Sequence, residues 1–242
     1  MRPPANGHRV AYAVPRNEVL RAQKLYPDYF HPERMNAVRE VEAHFAGERA
    51  KKIGSVANFV RDQRVVHPDD DYVGLANVQA NTGERVESTE KDGEGSCFEF
   101  AKDDVLFGRL RPYLNKVYLT EKSGVCSTEF HVIRVHRDDD GLPEVIPEYL
   151  AAVLRSTLVV AQTRHMMTGN THPRLANEDV VDLVIPVPDR DIQEDIADEV
   201  FRRRVQVRRL REQAESVWNE GTRHFELAVL GLPPAVHGRD EA

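Results

Sequence analysis

The chain has 242 residues, a formal net charge of −7 and 40% hydrophobic residues, enough for one good-sized domain with an appended helical element. No stretch reaches the ~18–20 apolar residues of a membrane helix. The N-terminal MRPPANGHRV lacks the apolar core of a secretory signal. The two isolated cysteines, Cys97 and Cys126, form no CxxC pair, which points away from a disulfide framework or zinc ribbon and toward a reducing cytoplasm.

Residues 1–16 are Pro-rich and polar and read as a loose arm. Residues 17–30 are expected to hold a short helix ending near Pro27 or at Tyr29-Phe30-His31-Pro32. A second helix starts after Pro32, a residue suited to a first turn. Met35, Val38, Val41 and Phe45 fall on one face of it, and Gly47 is the expected stop. From Lys52 the pattern changes to short apolar runs. Ile53–Val56, Tyr72–Leu75, Val105–Phe107, Lys116–Leu119, Phe130–Ile133 and Leu183–Pro188 read as strands, punctuated by Asn81-Thr82-Gly83 and Ser123-Gly124. A helix follows Pro147, with Tyr149, Leu150, Val153 and Leu154 on one face, and ends near Ser156-Thr157. Short strands with few helices predict an α+β domain built on a curved mixed β-sheet.

The last element is a long coiled-coil-type helix. Ile196, Val200, Arg203, Val207, Leu210, Ala214 and Val217 follow a strict 4-3 spacing for about three heptads, the pattern of a helix-pairing seam with one polar member. Asp191, Glu194 and Asp195 open this helix, where its dipole favours anions. The expected division is thus an N-terminal arm and helices (1–49), a β-rich domain (50–189), a pairing helix (190–230) and a disordered tail (231–242).

Charge is unevenly placed. Acidic residues gather at Asp69–Asp71, Glu84–Asp104 and Asp138–Glu148, while Val105–Tyr118 and Tyr149–Asn177 contain none. The first acid-free stretch carries Arg109, Arg111, Tyr113, Asn115 and Lys116. The second carries Arg164, Asn170, Thr171, His172 and Arg174. Two clean basic stretches in an acidic chain are what one nucleic-acid-facing side would produce. If 105–111 is a strand, Arg109 and Arg111 share a face. Tyr113 and Met166 read first as core side chains.

Catalytic motifs are absent. There is no glycine-rich cofactor loop after a strand, no Asn/Asp-Pro-Pro-Tyr/Phe loop and no P-loop, and no lysine has an acidic residue two positions before it, as a restriction-type nuclease requires. His131 and His136, like His165 and His172, are spaced wrongly for a metal set. Ser127, Glu129 and His131 read as alternating positions of one strand. No catalytic residue and no metal site is expected.

The order of motifs carries a resemblance. Lys52–Val56, Tyr72–Leu75 before Asn81-Thr82-Gly83, Asp104-Val105-Leu106-Phe107-Gly108-Arg109-Leu110-Arg111-Pro112-Tyr113, Gly124-Val125-Cys126-Ser127-Thr128-Glu129-Phe130, Ile146–Leu150, Leu154-Arg155-Ser156, Thr168-Gly169-Asn170, and Leu183–Pro188 with Gln193-Glu194-Asp195-Ile196 follow one another over roughly residues 50–218. This series resembles a target recognition domain of the specificity subunit of type I restriction–modification systems. In that family a subunit carries two recognition domains and two long antiparallel helices that space the half-sites and dock methyltransferase subunits. This chain resembles a half-subunit with a single recognition domain.

The resemblance implies double-stranded DNA as ligand and no catalysis in this chain. It implies an adenine methyltransferase partner that holds S-adenosylmethionine, and in some systems a restriction and translocation subunit. It also implies a homodimer through the 196–217 seam, a cytoplasmic location and no membrane contact. Two other readings stay open: a recognition module of another phage-defence complex, and a protein-binding adaptor that touches no DNA.

Overall fold

The computed structural model describes residues 12–45, 49–88, 95–167 and 172–233. The chain divides into two compact units, Met1–Ala197 and Asp198–Ala242.

The first unit begins with α1 (Arg16–Ala22), a 3-10 turn at Pro27–Phe30 and α2 (Pro32–His44). Pro32 sits in the first turn of α2, as expected, and the His31 ring accepts from the Glu33 N–H. Gly47, the expected stop, lies outside the described residues; α2 ends at His44. Tyr29 and Phe30 are buried in the main core, so this segment packs with the β-domain.

Among the described residues ten strands follow: β1 (Ala50–Lys52), β2 (Ala57–Val60), β3 (Gln63–Val65), β4 (Tyr72–Val73), β5 (Ser96–Phe100), β6 (Val105–Gly108), β7 (Val117–Leu119), β8 (Gly124–Ser127), β9 (Phe130–Val135) and β10 (Val184–Pro186). The α+β class stands, but the strands form three sheets rather than one. β1 pairs with β10; β2-β9-β6-β7 is antiparallel throughout; and β3-β5-β8-β4 is mixed, with β4 parallel to β8. The stretch 105–133, read from the sequence as three strands, is therefore four strands divided between two sheets.

The β2-β9-β6-β7 sheet is covered on both faces. Val105, Phe107, Ile133 and Val135 enter the main core with Tyr149, Leu150 and Leu154, whereas Leu106, Phe130 and Val132 enter a second core with Val73, Phe100 and Cys126. Side chains alternate across a strand, so a sheet buried on both faces demands continuous apolar runs. That is why Val105-Leu106-Phe107 shows no polar alternation.

Ile53–Val56, read as a strand, is a helical turn, α3. Ile53 and Val56 are both buried at three-residue spacing, and Gly54 lies so close to the next layer that a Cβ there would be 2.5 Å from Val181 Cγ1. Beyond β9 come α4 (Pro147–Leu154), α5 (Thr157–Thr163) and α6 (Asn177–Val181). Ser156, near the expected helix end, accepts from Val159 N–H and so caps α5. Fully buried Gln162 bonds both the N–H and the C=O of Val184.

Helix α7 (Arg190–Val229) starts in the first unit. There Gln193, buried, accepts from Ile146 N–H and donates to the carbonyls of Glu144 and Pro188. The second unit is the rest of this helix and the tail. On it Val207, Leu210, Val217, Trp218 and Phe225 are all exposed. No described helix is long and apolar enough to cross a membrane.

Candidate nucleic-acid interface

Strand β6 ends at Gly108, and the chain then leaves the sheet in a shape that excludes strand alternation. Arg111 is left-handed (φ 49°), Pro112–Leu114 is a 3-10 turn, and Asn115 is left-handed again (φ 51°). Arg109 and Arg111 therefore do not share a strand face, contrary to the sequence expectation. Pro112 supplies the local reason, since its ring fixes the start of the turn.

The two acid-free stretches meet here. Leu110 and Arg174 form an antiparallel bridge. Leu175 N–H donates to Arg109 O at 2.9 Å and Arg111 N–H to Pro173 O at 2.8 Å. On the other side Arg109 N–H donates to Glu129 O at 2.9 Å. Residues 172–175 thus extend the core sheet at the end of β6.

The basic side chains fall into two groups. Arg109 is half-buried and Arg111 exposed, and neither forms an ion pair among the described residues. The buried Nε of Arg109 has no hydrogen-bond partner. By contrast, Arg174 grips the Glu129 carboxylate with Nε at 3.0 Å and Nη2 at 2.5 Å. Arg164 pairs with Glu33 at 2.5 Å. His172 is exposed; Asn170 and Thr171 lie outside the described residues.

Three sequence expectations change. Asn115 is buried and spends its amide on Arg155 O (2.9 Å) and Asn81 Oδ1 (3.3 Å), locking the 81–83 turn to the end of the 3-10 segment. Lys116 sends its ammonium to Leu75 O at 2.6 Å and is likewise used internally. Tyr113 is not core: it is 47% exposed, while Met166 is buried as expected.

Two further residues escaped the sequence. Ser127 ends β8, Glu129 lies in the two-residue connection between sheets, and His131 belongs to β9, so these three are not positions of one strand. No local pattern marks Glu129, because its partner is remote in the chain. Arg61 directly follows β2, whose register with β9 brings it beside His131. His131 is buried, with Nε2 facing Leu175 O at 3.2 Å. Burial, followed by the charges of Arg109 and Arg61, pushes its pKa down to about 4.

Among the described residues one group has metal-ligand character: His31, Glu33 and His165. The two imidazoles are stacked, with centroids 3.4 Å apart and planes at 16°. A metal must lie in the plane of each ligating ring at ~2.0–2.1 Å from nitrogen, which near-parallel stacked rings cannot both satisfy. The group instead ties α2 to the second acid-free stretch, with His165 Nε2 2.8 Å from Glu33 Oε2.

On α7 the expected seam forms one helical stripe. Ile196, Val207, Leu210 and Val217 are exposed and Val200 is half-buried; Ala214 is exposed, and Arg203 pairs with Glu199 at 2.6 Å. Trp218, 75% exposed, continues the stripe.

No protein-family model matches the chain, and no curated protein does. Solved structures do. The HsdS subunit from Thermoanaerobacter tengcongensis superimposes with a TM-score of 0.51 at 24% identity, over 74% of this chain and 49% of that one. A chain from work on complex assembly and conformational transition of the type I R-M system gives 0.52 at 24% identity, over 79% and 51%. This chain spans about half the length of each. The likeness establishes a shared fold.

Proposed function

We propose that this chain is a type I restriction–modification specificity subunit with a single target recognition domain. It reads duplex DNA for a partner adenine methyltransferase and contributes no catalysis of its own. The observation that carries this reading is the junction of the two acid-free stretches at the end of β6, where Arg109 and Arg111 have no ion-pair partner among the described residues. Several arginines of this domain, Arg64, Arg85, Arg134 and Arg174 among them, are ion-paired; cations left without a carboxylate are suited to phosphate. The fold shared with an HsdS subunit supports the same reading.

A single recognition domain reads one half-site, so two copies joined through α7 would read a symmetric target. The helix favours antiparallel pairing. In a parallel pair Arg203 faces Arg203 of the other copy. An antiparallel pair centred near residue 212 sets Arg203 against Gly221, where a Cβ would meet nothing within 4 Å, Leu210 against Ala214 and Val207 against Val217. The same register faces the basic run Arg202–Arg211 with Glu215 and Glu220.

The DNA-binding reading is tested by fluorescence anisotropy of a labelled duplex against the full chain over a salt series. Arg109→Ala and Arg111→Ala are each expected to weaken binding for all sequences and to lower the salt slope by about 0.9 per lost phosphate contact. Wild-type protein that ignores duplex at low salt would favour the protein-adaptor reading.

A further inference from the structure

The Arg174–Glu129 pair differs in kind from the arginines beside it. Arg174 has a fixed root: its backbone bridges Leu110 at the end of a core strand, and Leu175 bonds Arg109 on the same ladder. Its head is fixed as well. Glu129 accepts from Nε and Nη2, and the Glu129 backbone is itself bonded to Arg109 N–H. The Arg174 side chain is nevertheless 41% exposed, against 23% for the Glu129 side chain that backs it.

A paired arginine is a poor phosphate anchor, because its charge is already neutralised and brings little counterion release. It is a good reader of a base edge. A planar fork must meet guanine O6 and N7 together, and a side chain already held in place gives up less freedom on binding. Arg111 has the opposite character: exposed, without an ion pair among the described residues, on a turn, and indifferent to the angle at which a phosphate arrives.

We infer that Arg174 reads a guanine in the major groove and that Glu129 is its positioning residue, while Arg109 and Arg111 meet phosphates. This rests on the reading of the chain as a duplex-DNA reader. It divides one basic face into a part that supplies affinity and a part that supplies sequence.

The test is enrichment from a library of random-sequence duplexes by the full chain, followed by anisotropy on the enriched duplex and its single-pair variants over a salt series. Arg174→Ala is expected to lose preference at one G·C pair by roughly tenfold to a hundredfold, with the rest of the motif and the salt slope kept. Arg174→Lys, which keeps the charge but not the fork, should lose the same preference, and it stands in for the alanine variant if that fails to fold. Glu129→Gln should weaken discrimination at that pair and no other, which a general loss of structure would not do. Arg109→Ala should keep the motif and lower the slope.

Two outcomes overturn the assignment while leaving the DNA reading intact: an unchanged motif in both Arg174 variants, or a uniform loss of affinity with a reduced slope, which would make Arg174 a phosphate contact. A wild-type motif without a G·C pair also overturns it. A wild-type chain that enriches no sequence overturns both.

Discussion

Leu110 and Arg174 pair as antiparallel bridge partners, although the described residues between them build a 3-10 turn, three strands and two α-helices. The bridge extends the core sheet with a piece of the second acid-free stretch and makes one surface from two segments. Its strength is that of a short ladder anchored in a buried sheet.

His131 lies under the junction, neutral and buried, with its pKa down at about 4 against an ordinary 6.5. The unfolded chain takes up a proton there between those two values and the folded chain does not. Stability is therefore fully present above pH 6.5 and falls as pH drops from about 6.5 toward 4, by up to about 3 kcal/mol. Urea unfolding at pH 7 and pH 5 should show the loss in wild type and a much smaller one in His131→Phe. An equal loss in both would assign the pH dependence elsewhere.

Gln193 fastens the first turn of α7 to the β-domain through three hydrogen bonds to backbone groups of Ile146, Glu144 and Pro188. Gln193→Leu leaves buried donors and acceptors without partners, at about 1–3 kcal/mol for each group that water cannot reach. The urea midpoint should fall accordingly, while Gln193→Glu should recover part of the loss through the Ile146 N–H.

Gly83 stands at φ +66°, and a Cβ there would lie 1.9 Å from Val117 O in the β7 backbone. Gly83→Ala combines a left-handed backbone with a clash that no side-chain rotation relieves. A loss of more than about 2 kcal/mol is expected. Gly141, also at positive φ but with open space around it, should cost far less on the same substitution. Similar thermal midpoints for the two variants would remove the close approach as the cause.

Pairing through α7 can be read by cross-linking, because both native cysteines are buried free thiols. Leu210→Cys with Ala214→Cys should oxidise to a covalent dimer if the helices pair antiparallel about residue 212. Leu210→Cys alone should cross-link only in a parallel pair. Val207→Glu, a charge in the seam, should leave a monomer in sedimentation velocity with the circular dichroism of the first unit retained.

Much of the architecture was legible in local pattern. The continuous apolar runs at 105–107 and 130–133 marked strands, Pro32 and Pro147 marked helix starts, and the 4-3 spacing from Ile196 marked a long helix with an apolar stripe. Periodicity and fixed backbone angles act over a few residues, so they leave a trace in a few residues. The turn at Ile53–Val56 is only four residues long, too short for its period to be told from that of a strand.

By itself the sequence determined where the positive charge is free of acid and which elements carry it. Only the tertiary structure decided what each charged group does with that freedom. Asn115 and Lys116 share the basic stretch with Arg109 and Arg111 but are consumed by Arg155 O and Leu75 O, and Arg174 is clamped by a glutamate from a connection between sheets. Hydrogen-bond and ion-pair partners are chosen across space at about 3 Å, and that distance is not written in the spacing of residues along a chain.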